Sequence, residues 1–481
     1  MSDKIDRVIE IFEDICRIPR CSKNELMISN WLVNWAKEHR FEVKQDEVLN
    51  VLMKIPATEG LENAQTLVLQ GHMDMVCVKS EKSEHDFSKD AVKIVRIGDW
   101  INADNTTLGA DNGIAVALAL AIAEDKTLKH PQLELLFTVD EETGLTGASM
   151  LDTDFVTGKV LINIDSEDEG VFTVGCAGGM NLKIEMMTES TEILNVDFIK
   201  IKTGGMLGGH SGIEIHKPRA NAIKILTKIL LHISENHSLN IVSIAGGIAH
   251  NAIPSNAEAI ISVKKTDLLS ILDEIKNIGN LLILEHSDIE KDFYVKADKI
   301  DITSEITTCY NDITTGRLIQ FLSKIKHGVI KMSEEVDGAV ETSCNLAKIE
   351  TNSDTIVITS SLRSNKDNEI GKLKDKIAKI ASQHGATLIA SGQYPSWQPN
   401  MQSKLLSKCT ETYEKIFKKS PKIEVIHAGL ECGIIGAKYD GMDMISIGPT
   451  IQHPHTPEER LNIPSLERIW VLLSKLLQSY T

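Results

Sequence analysis

LELLFTVDEETG, residues 133–144, is a run of strand-forming apolar residues that stops at three acids and a glycine. The same grammar appears upstream in TLVLQGHMD (66–74) and downstream in VLINIDSEDEG (160–170). It returns near the end in IEVIHAGLECG (423–433) and DMISIGPTIQHPHTP (443–457). Between the first two stretches, LGADNGIAVALALAIAED (108–125) opens with a turn and becomes an apolar helix. Alternating strands, turns and helices predict an α/β fold with a mostly parallel sheet flanked by helices. Ligand sites in open sheets of this kind gather at the carboxyl ends of strands.

Working outward, residues 5–15 and 26–37 carry helical periodicity, with Trp31, Leu32 and Trp35 as the expected buried stripe of the second helix. Residues 79–93 are polar and read as a surface loop. From about residue 181 the character changes. NLKIEM, FIKIKT, AEAIISVKK and TIVITSS read as strands separated by helices, and none ends in an acidic turn. Residues 181–392 are therefore expected to form an inserted α+β domain, with 1–180 and 393–481 as the first domain. A Pro-rich linker, SGQYPSWQPN (391–400), returns the chain.

A chain of 481 residues is too long for one compact core, which agrees with two domains. Its formal net charge of −17 argues against nucleic acid or an anionic membrane surface as partner. The longest apolar run, residues 114–123, is too short to span a bilayer. Eight scattered cysteines with no C-x-x-C pair read as free thiols of a reducing, cytoplasmic compartment.

The strand ends carry metal-ligand chemistry. His72 and Asp74 follow one strand, Glu141 and Glu142 a second, Asp165 a third, and His453 and His455 a fourth; Asp111 opens the apolar helix. Imidazole and carboxylate ligands suit zinc, with manganese or cobalt as alternatives. Two divalent cations would be balanced by Asp111, Glu142, Asp165 and a hydroxide, and the two oxygens of Asp111 suit a bridge. In the extended His72-Met73-Asp74, the first and third side chains face the same way, so Asp74 can fix the imidazole of His72. Of the adjacent Glu141 and Glu142, expected to point in opposite directions, one can bind metal while the other serves as a general base. The Gly-rich TGGMLGGHSG lacks the Gly-Lys-Ser/Thr ending of a phosphate loop.

The stretches GHMDMV, HDFSKD, TTLGADNGI, DEETGLTGA, INIDSEDEG, GGHSGIEIH, NAIPSNAEA, AGLECG and MDMISIGPTIQHPHTPEE resemble those of the M20 metallopeptidases. The resemblance is strongest to the aminoacyl-histidine dipeptidase branch and covers essentially the whole chain. It implies a zinc-exopeptidase-like catalytic domain with an inserted lid. It further implies that His72 and Asp165 bind one metal, that Glu142 and His455 bind the other, and that Asp111 bridges them. Asp74 would orient His72, and Glu141 would be the general base. His455 is favoured over His453 because the family's last ligand lies in a PHTP-like stretch. A cis peptide between Asp111 and Asn112 is also implied. In the lid, His210 would donate to the carbonyl oxygen in the transition state, and Asn251 and Arg363 would grip the substrate's terminal carboxylate. The implied activity is hydrolysis of Xaa-His and other dipeptides, with a homodimer as the assembly. The rival readings are a related amidohydrolase (an aminoacylase or a carboxypeptidase) and a metal-binding scaffold without catalysis.

Overall fold

The computed structural model describes residues 2–192, 194–301, 308–352 and 354–480. The chain forms two compact units. One comprises Met1–Cys176, Trp397–Val425 and Leu430–Thr481, and the other Ala177–Ser396 and Ile426–Gly429.

The first unit is built on an eight-stranded sheet. Its order is Glu42–Gln45, Val51–Ile55, Leu133–Thr138, Leu67–His72, Val160–Asn163, Asp443–Ser446, Val171–Cys176 and Lys422–Ile426. The α/β reading holds, and the parallel part of the sheet is its four central strands. Leu67–His72 runs parallel to both Leu133–Thr138 and Val160–Asn163, and Asp443–Ser446 runs parallel to Val160–Asn163. On one side Glu42–Gln45 and Val51–Ile55 form an antiparallel pair, and Val51–Ile55 joins Leu133–Thr138 in the same sense. Three of the central strands are buried along their whole length and Asp443–Ser446 from Met444 onward, which explains their apolar runs. Helix Ala110–Glu124 is apolar on every face because every face is covered: residues 112–123 are all buried. The helix Leu26–Glu38 buries Ile28, Leu32, Trp35 and Ala36, while Trp31 stays partly exposed. The expected stripe therefore lies one position away from Trp31.

The second unit holds a nine-stranded sheet whose neighbouring strands pair antiparallel. Its strand Gly178–Met187 alternates buried and exposed residues from Leu182 onward, so one face meets the core. That core joins Leu182, Ile184 and Ile358 of the strands to Leu226, Ile229 and Leu230 of helix Ala222–Asn236. Asn221 caps this helix, its side-chain oxygen accepting from Ile223 N and Lys224 N.

The free-thiol expectation fails at one pair. Cys21 and Cys77 form a disulfide, with Cα atoms 5.7 Å apart. Their separation of 56 residues hid the pairing. They meet because Cys21 lies beside Met75 in a short parallel bridge. The other six cysteines form no disulfide and are buried. Among the described residues no helix is long and apolar enough to cross a membrane.

Candidate metal centre

Each strand-end residue is aimed by the element before it. His72 closes the strand Leu67–His72, and its backbone N–H donates to Asn112 Oδ1 at 3.2 Å. Asp111 lies in the first turn of helix Ala110–Glu124, where its own φ/ψ and those of Asn112 are not helical, and a cis peptide joins the two. Asp165 follows Val160–Asn163. Glu141 and Glu142 open the short helix Glu141–Gly144 rather than extending the strand. Their side chains are therefore about 100° apart around a helix axis, not opposed as in a strand. The chain turns because Asp140 takes a left-handed conformation (φ 49°).

The side chains converge as two triads that share Asp111. His72 Nε2 lies 3.1 Å from Asp111 Oδ1 and 3.3 Å from Asp165 Oδ1. His455 Nε2 lies 3.1 Å from Asp111 Oδ2 and 3.0 Å from Glu142 Oε2. The two carboxylate oxygens of Asp111 thus face different imidazoles. In each triad one atom per residue falls within 4.8 Å of the others. His453 instead lines a shallow surface cavity with Asn102, Pro457, Glu458 and Arg460.

The electrostatics of the cluster call for positive charge. Hydrogen bonds to Asp111 and then Glu142 push His455 up to about 11. For His72 burial opposes the proton, yet Asp165 and Asp111 outweigh it and hold the imidazole well above its ordinary range. Burial pushes Asp165 up to about 6. Burial also drives the Glu141 carboxyl well up, and Asp165, Glu431 and Glu142 add to that while His72 opposes it. Glu142 Oε1 is buried with no hydrogen-bond partner among the described residues. A pair of divalent cations would answer all of these demands, since buried carboxylates without a counter-charge are costly. The residues present therefore fit such a centre.

Asp74 does more than its spacing suggested. Its Oδ1 is 3.2 Å from His72 Nδ1, and its two oxygens also accept from Glu141 N (3.1 Å), Glu142 N (3.3 Å) and Ser22 Oγ (2.8 Å). One carboxylate thus lies against the imidazole at ion-pair distance, without hydrogen-bond geometry to Nδ1, and holds the backbone of both glutamates.

Three further residues escaped sequence reasoning. Arg20, 1% exposed, donates to the carbonyls of Met73, Asp74 and Gly109. Glu459 accepts from the backbone N–H groups of residues 108–111. Glu431, fully buried, accepts from Gln70 Nε2 and Thr138 Oγ1 at 2.6 Å each, and burial pushes it up to about 7. Glu459 and Glu431 lie within the PHTPEE and AGLECG stretches, which were their only signal. Nothing in the sequence marked Arg20.

In the second unit, Gly209–His210 pairs with Ala252–Ile253, and Ser211 N donates to Asn251 O, which sets His210 beside Asn251. His210 Nδ1 accepts from Gly212 N (3.3 Å) and Ile213 N (3.2 Å). Those bonds assign the ring proton to Nε2. Burial and then Arg363 push the His210 pKa down, so the ring stays neutral. Arg363, 8% exposed, donates to Tyr394 Oη at 3.2 Å and has no ion-pair partner among the described residues. A Cβ added at Gly212 would lie 2.9 Å from His210 Cε1 and 3.2 Å from Arg363 Cζ, so these two side chains meet over the glycine. The Asn251 side chain is exposed.

Comparison with known proteins places the chain. It is 38% identical over 476 residues to the cytosol non-specific dipeptidase of Escherichia coli, covering 98% of this chain and 96% of that protein. The chain belongs to the M20 peptidases. Within that family it resembles the aminoacylhistidine dipeptidase of Vibrio alginolyticus, whose crystal structure matches with a TM-score of 0.91 and 36% identity over 98% of this chain and 96% of that one. A tripeptidase from Staphylococcus aureus shares the fold, with a TM-score of 0.57 and 17% identity over 99% and 98% of the two chains. Residues 201–283 match the peptidase dimerisation domain.

Proposed function

We propose that this M20 peptidase is a metal-dependent dipeptidase that hydrolyses Xaa-His and other dipeptides in the cytoplasm. The observation that carries the reading is the pair of triads meeting at the two oxygens of Asp111, with Glu141 alongside, its carboxylate within 4.8 Å of ligand atoms of His72 and Glu142. His72 and Asp165 would hold one divalent cation, Glu142 and His455 the other, and Asp111 both; zinc suits this donor set, with manganese or cobalt as alternatives. Bound there, the cations supply Lewis-acid polarisation of the scissile carbonyl and acidify the attacking water. Asp74 holds the proton of His72 on Nδ1, leaving Nε2 to face the cation. The Glu141 carboxylate takes the proton from water and returns it to the leaving amine. His210 Nε2–H is the donor for the developing oxyanion, which a neutral ring with its other nitrogen already engaged can serve. Arg363, a buried guanidinium, pairs the terminal carboxylate of the dipeptide, and Asn251 assists. The assembly is proposed to be a homodimer, which the dimerisation-domain match supports.

The test is hydrolysis by metal-stripped protein with zinc, manganese or cobalt restored, across Xaa-His dipeptides, N-acyl amino acids and tripeptides. Dipeptide cleavage that returns with metal is expected. Glu141→Ala should keep its metal and lose roughly 10²–10⁴-fold in kcat. Cleavage of N-acyl amino acids alone would move the protein to the amidohydrolases. Metal-independent cleavage, or near-normal turnover by the alanine variant, would overturn the mechanism.

A further inference from the structure

The turn at residues 108–111 is gripped from two sides by charged side chains that bond to its backbone. From one side Glu459 Oε2 accepts from Leu108 N (2.8 Å) and Gly109 N (2.9 Å), and Oε1 accepts from Ala110 N (2.8 Å) and Asp111 N (3.3 Å). From the other, Arg20 Nη2 donates to Gly109 O (2.5 Å), while Nη1 reaches Met73 O (3.2 Å) and Asp74 O (3.1 Å). Both side chains are buried, at 2% and 1% exposure. Four N–H groups on one carboxylate are more than an ordinary capping side chain satisfies, which is one or two.

The connectivity gives this excess a purpose. Glu459 lies four residues after His455. The His455 ring touches Asp111 Oδ2, and the Glu459 carboxylate holds Asp111 N. The two segments are thereby joined twice, once through the ligand side chains and once through Glu459. Asp111 must present each oxygen to a different imidazole, so a small rotation of its backbone would break one triad. Arg20 ties the same turn to the segment that follows His72.

We propose that Glu459 is a positioning residue of the metal centre, a carboxylate that fixes the backbone of the bridging Asp111 relative to His455 before any cation arrives. This rests on the reading of Asp111 and His455 as ligands. Glu459→Gln keeps the size and removes acceptor capacity, since the amide nitrogen cannot accept. Glu134 supplies the control. It is a fully buried carboxylate that accepts from Thr157 N (2.8 Å) and Gly158 N (2.9 Å) and has no contact with the triads. Metal-stripped full-length protein is titrated with Co²⁺, read by calorimetry and by the visible absorption of the bound ion. Glu459→Gln should weaken Co²⁺ binding about 10–100-fold and alter the spectrum, the usual scale for the loss of a group that orients a ligand. Glu134→Gln should change neither. Equal affinities and spectra for the two variants would overturn the proposal. Failure of the wild-type protein to bind Co²⁺ would instead overturn the ligand reading beneath it. Should Glu459→Gln not fold, amide hydrogen exchange of the metal-free wild type decides. Protected amides at 108–111 are expected, and exchange there at unprotected rates would refute the preset turn.

Discussion

His427 shows how burial and a neighbouring charge set the state of one side chain. Its ring is 6% exposed, its Nε2 lies 2.7 Å from Ser343 Oγ, and burial and then Arg363 push its pKa down to about 3. In the unfolded chain the same histidine takes up a proton near its ordinary value of 6.5. As pH falls below that value the unfolded state gains a proton that the folded state refuses, so stability present above pH 6.5 drains away until about pH 3. His427→Gln removes the effect. Between pH 6.5 and 4.5 the variant is expected to lose about 2 kcal/mol less unfolding free energy than the parent. Urea denaturation at several pH values measures this, and parallel pH profiles would show that His427 is not the group responsible. At this scale the sequence revealed what chemistry demands of a side chain. Acids and histidines at strand ends were legible because ligand atoms must be of those types. Arg20, Glu459 and Glu431 were not, because their partners are mostly backbone groups or neutral side chains, and no residue pattern records that.

Strand Leu67–His72 meets the start of helix Ala110–Glu124 at Gly71, and the fit leaves no room for a side chain. A Cβ there would collide with Asn112 Oδ1 and lie 2.7 Å from Ala115 Cβ. Asn112 cannot retreat freely, because its Oδ1 accepts from His72 N and its Nδ2 donates to Ile164 O at 2.8 Å. Gly71→Ala should therefore act twice. Overpacking should cost about 1–3 kcal/mol, and the displaced Asn112 should disturb the approach of His72, Asp111 and Asp165 to one another. Thermal melts together with Co²⁺ titration measure both effects. An alanine variant that melts and binds like the parent would mean that the junction relaxes without cost. Elements of this kind were readable as elements. The apolar runs marked the central strands, and the all-round apolar helix announced its burial. Their arrangement was not readable, because neither the sheet order nor the antiparallel edges leave a local signature. The second unit's claim on Ile426–Gly429 rests on four residues, too few to carry a pattern.

At the scale of the molecule, a surface feature remains to be matched with a partner. Helix Leu268–His286 leaves Leu269, Leu281 and Leu284 at 75%, 67% and 72% exposure while burying Leu268, Ile271, Ile275 and Leu282. Scattered exposed leucines are ordinary, but here they lie on the helix that ends the segment matching the dimerisation domain. At 100° per residue the three fall within an arc of about 120°, so a second copy could cover them together. Covering them is worth the most where the partner presents the same patch across a two-fold axis. In a homodimer of this kind, Leu281→Asp combined with Leu284→Asp would place two charges per chain in an apolar contact, and the variant should sediment at half the parent's mass. Both proposed metal triads come from one chain. Co²⁺ affinity in the monomer should therefore stay within about threefold of the parent, less than a 1 kcal/mol change. A parent protein that is already monomeric at micromolar concentration would remove the dimer. A double variant that keeps the dimeric mass would place the interface on another surface.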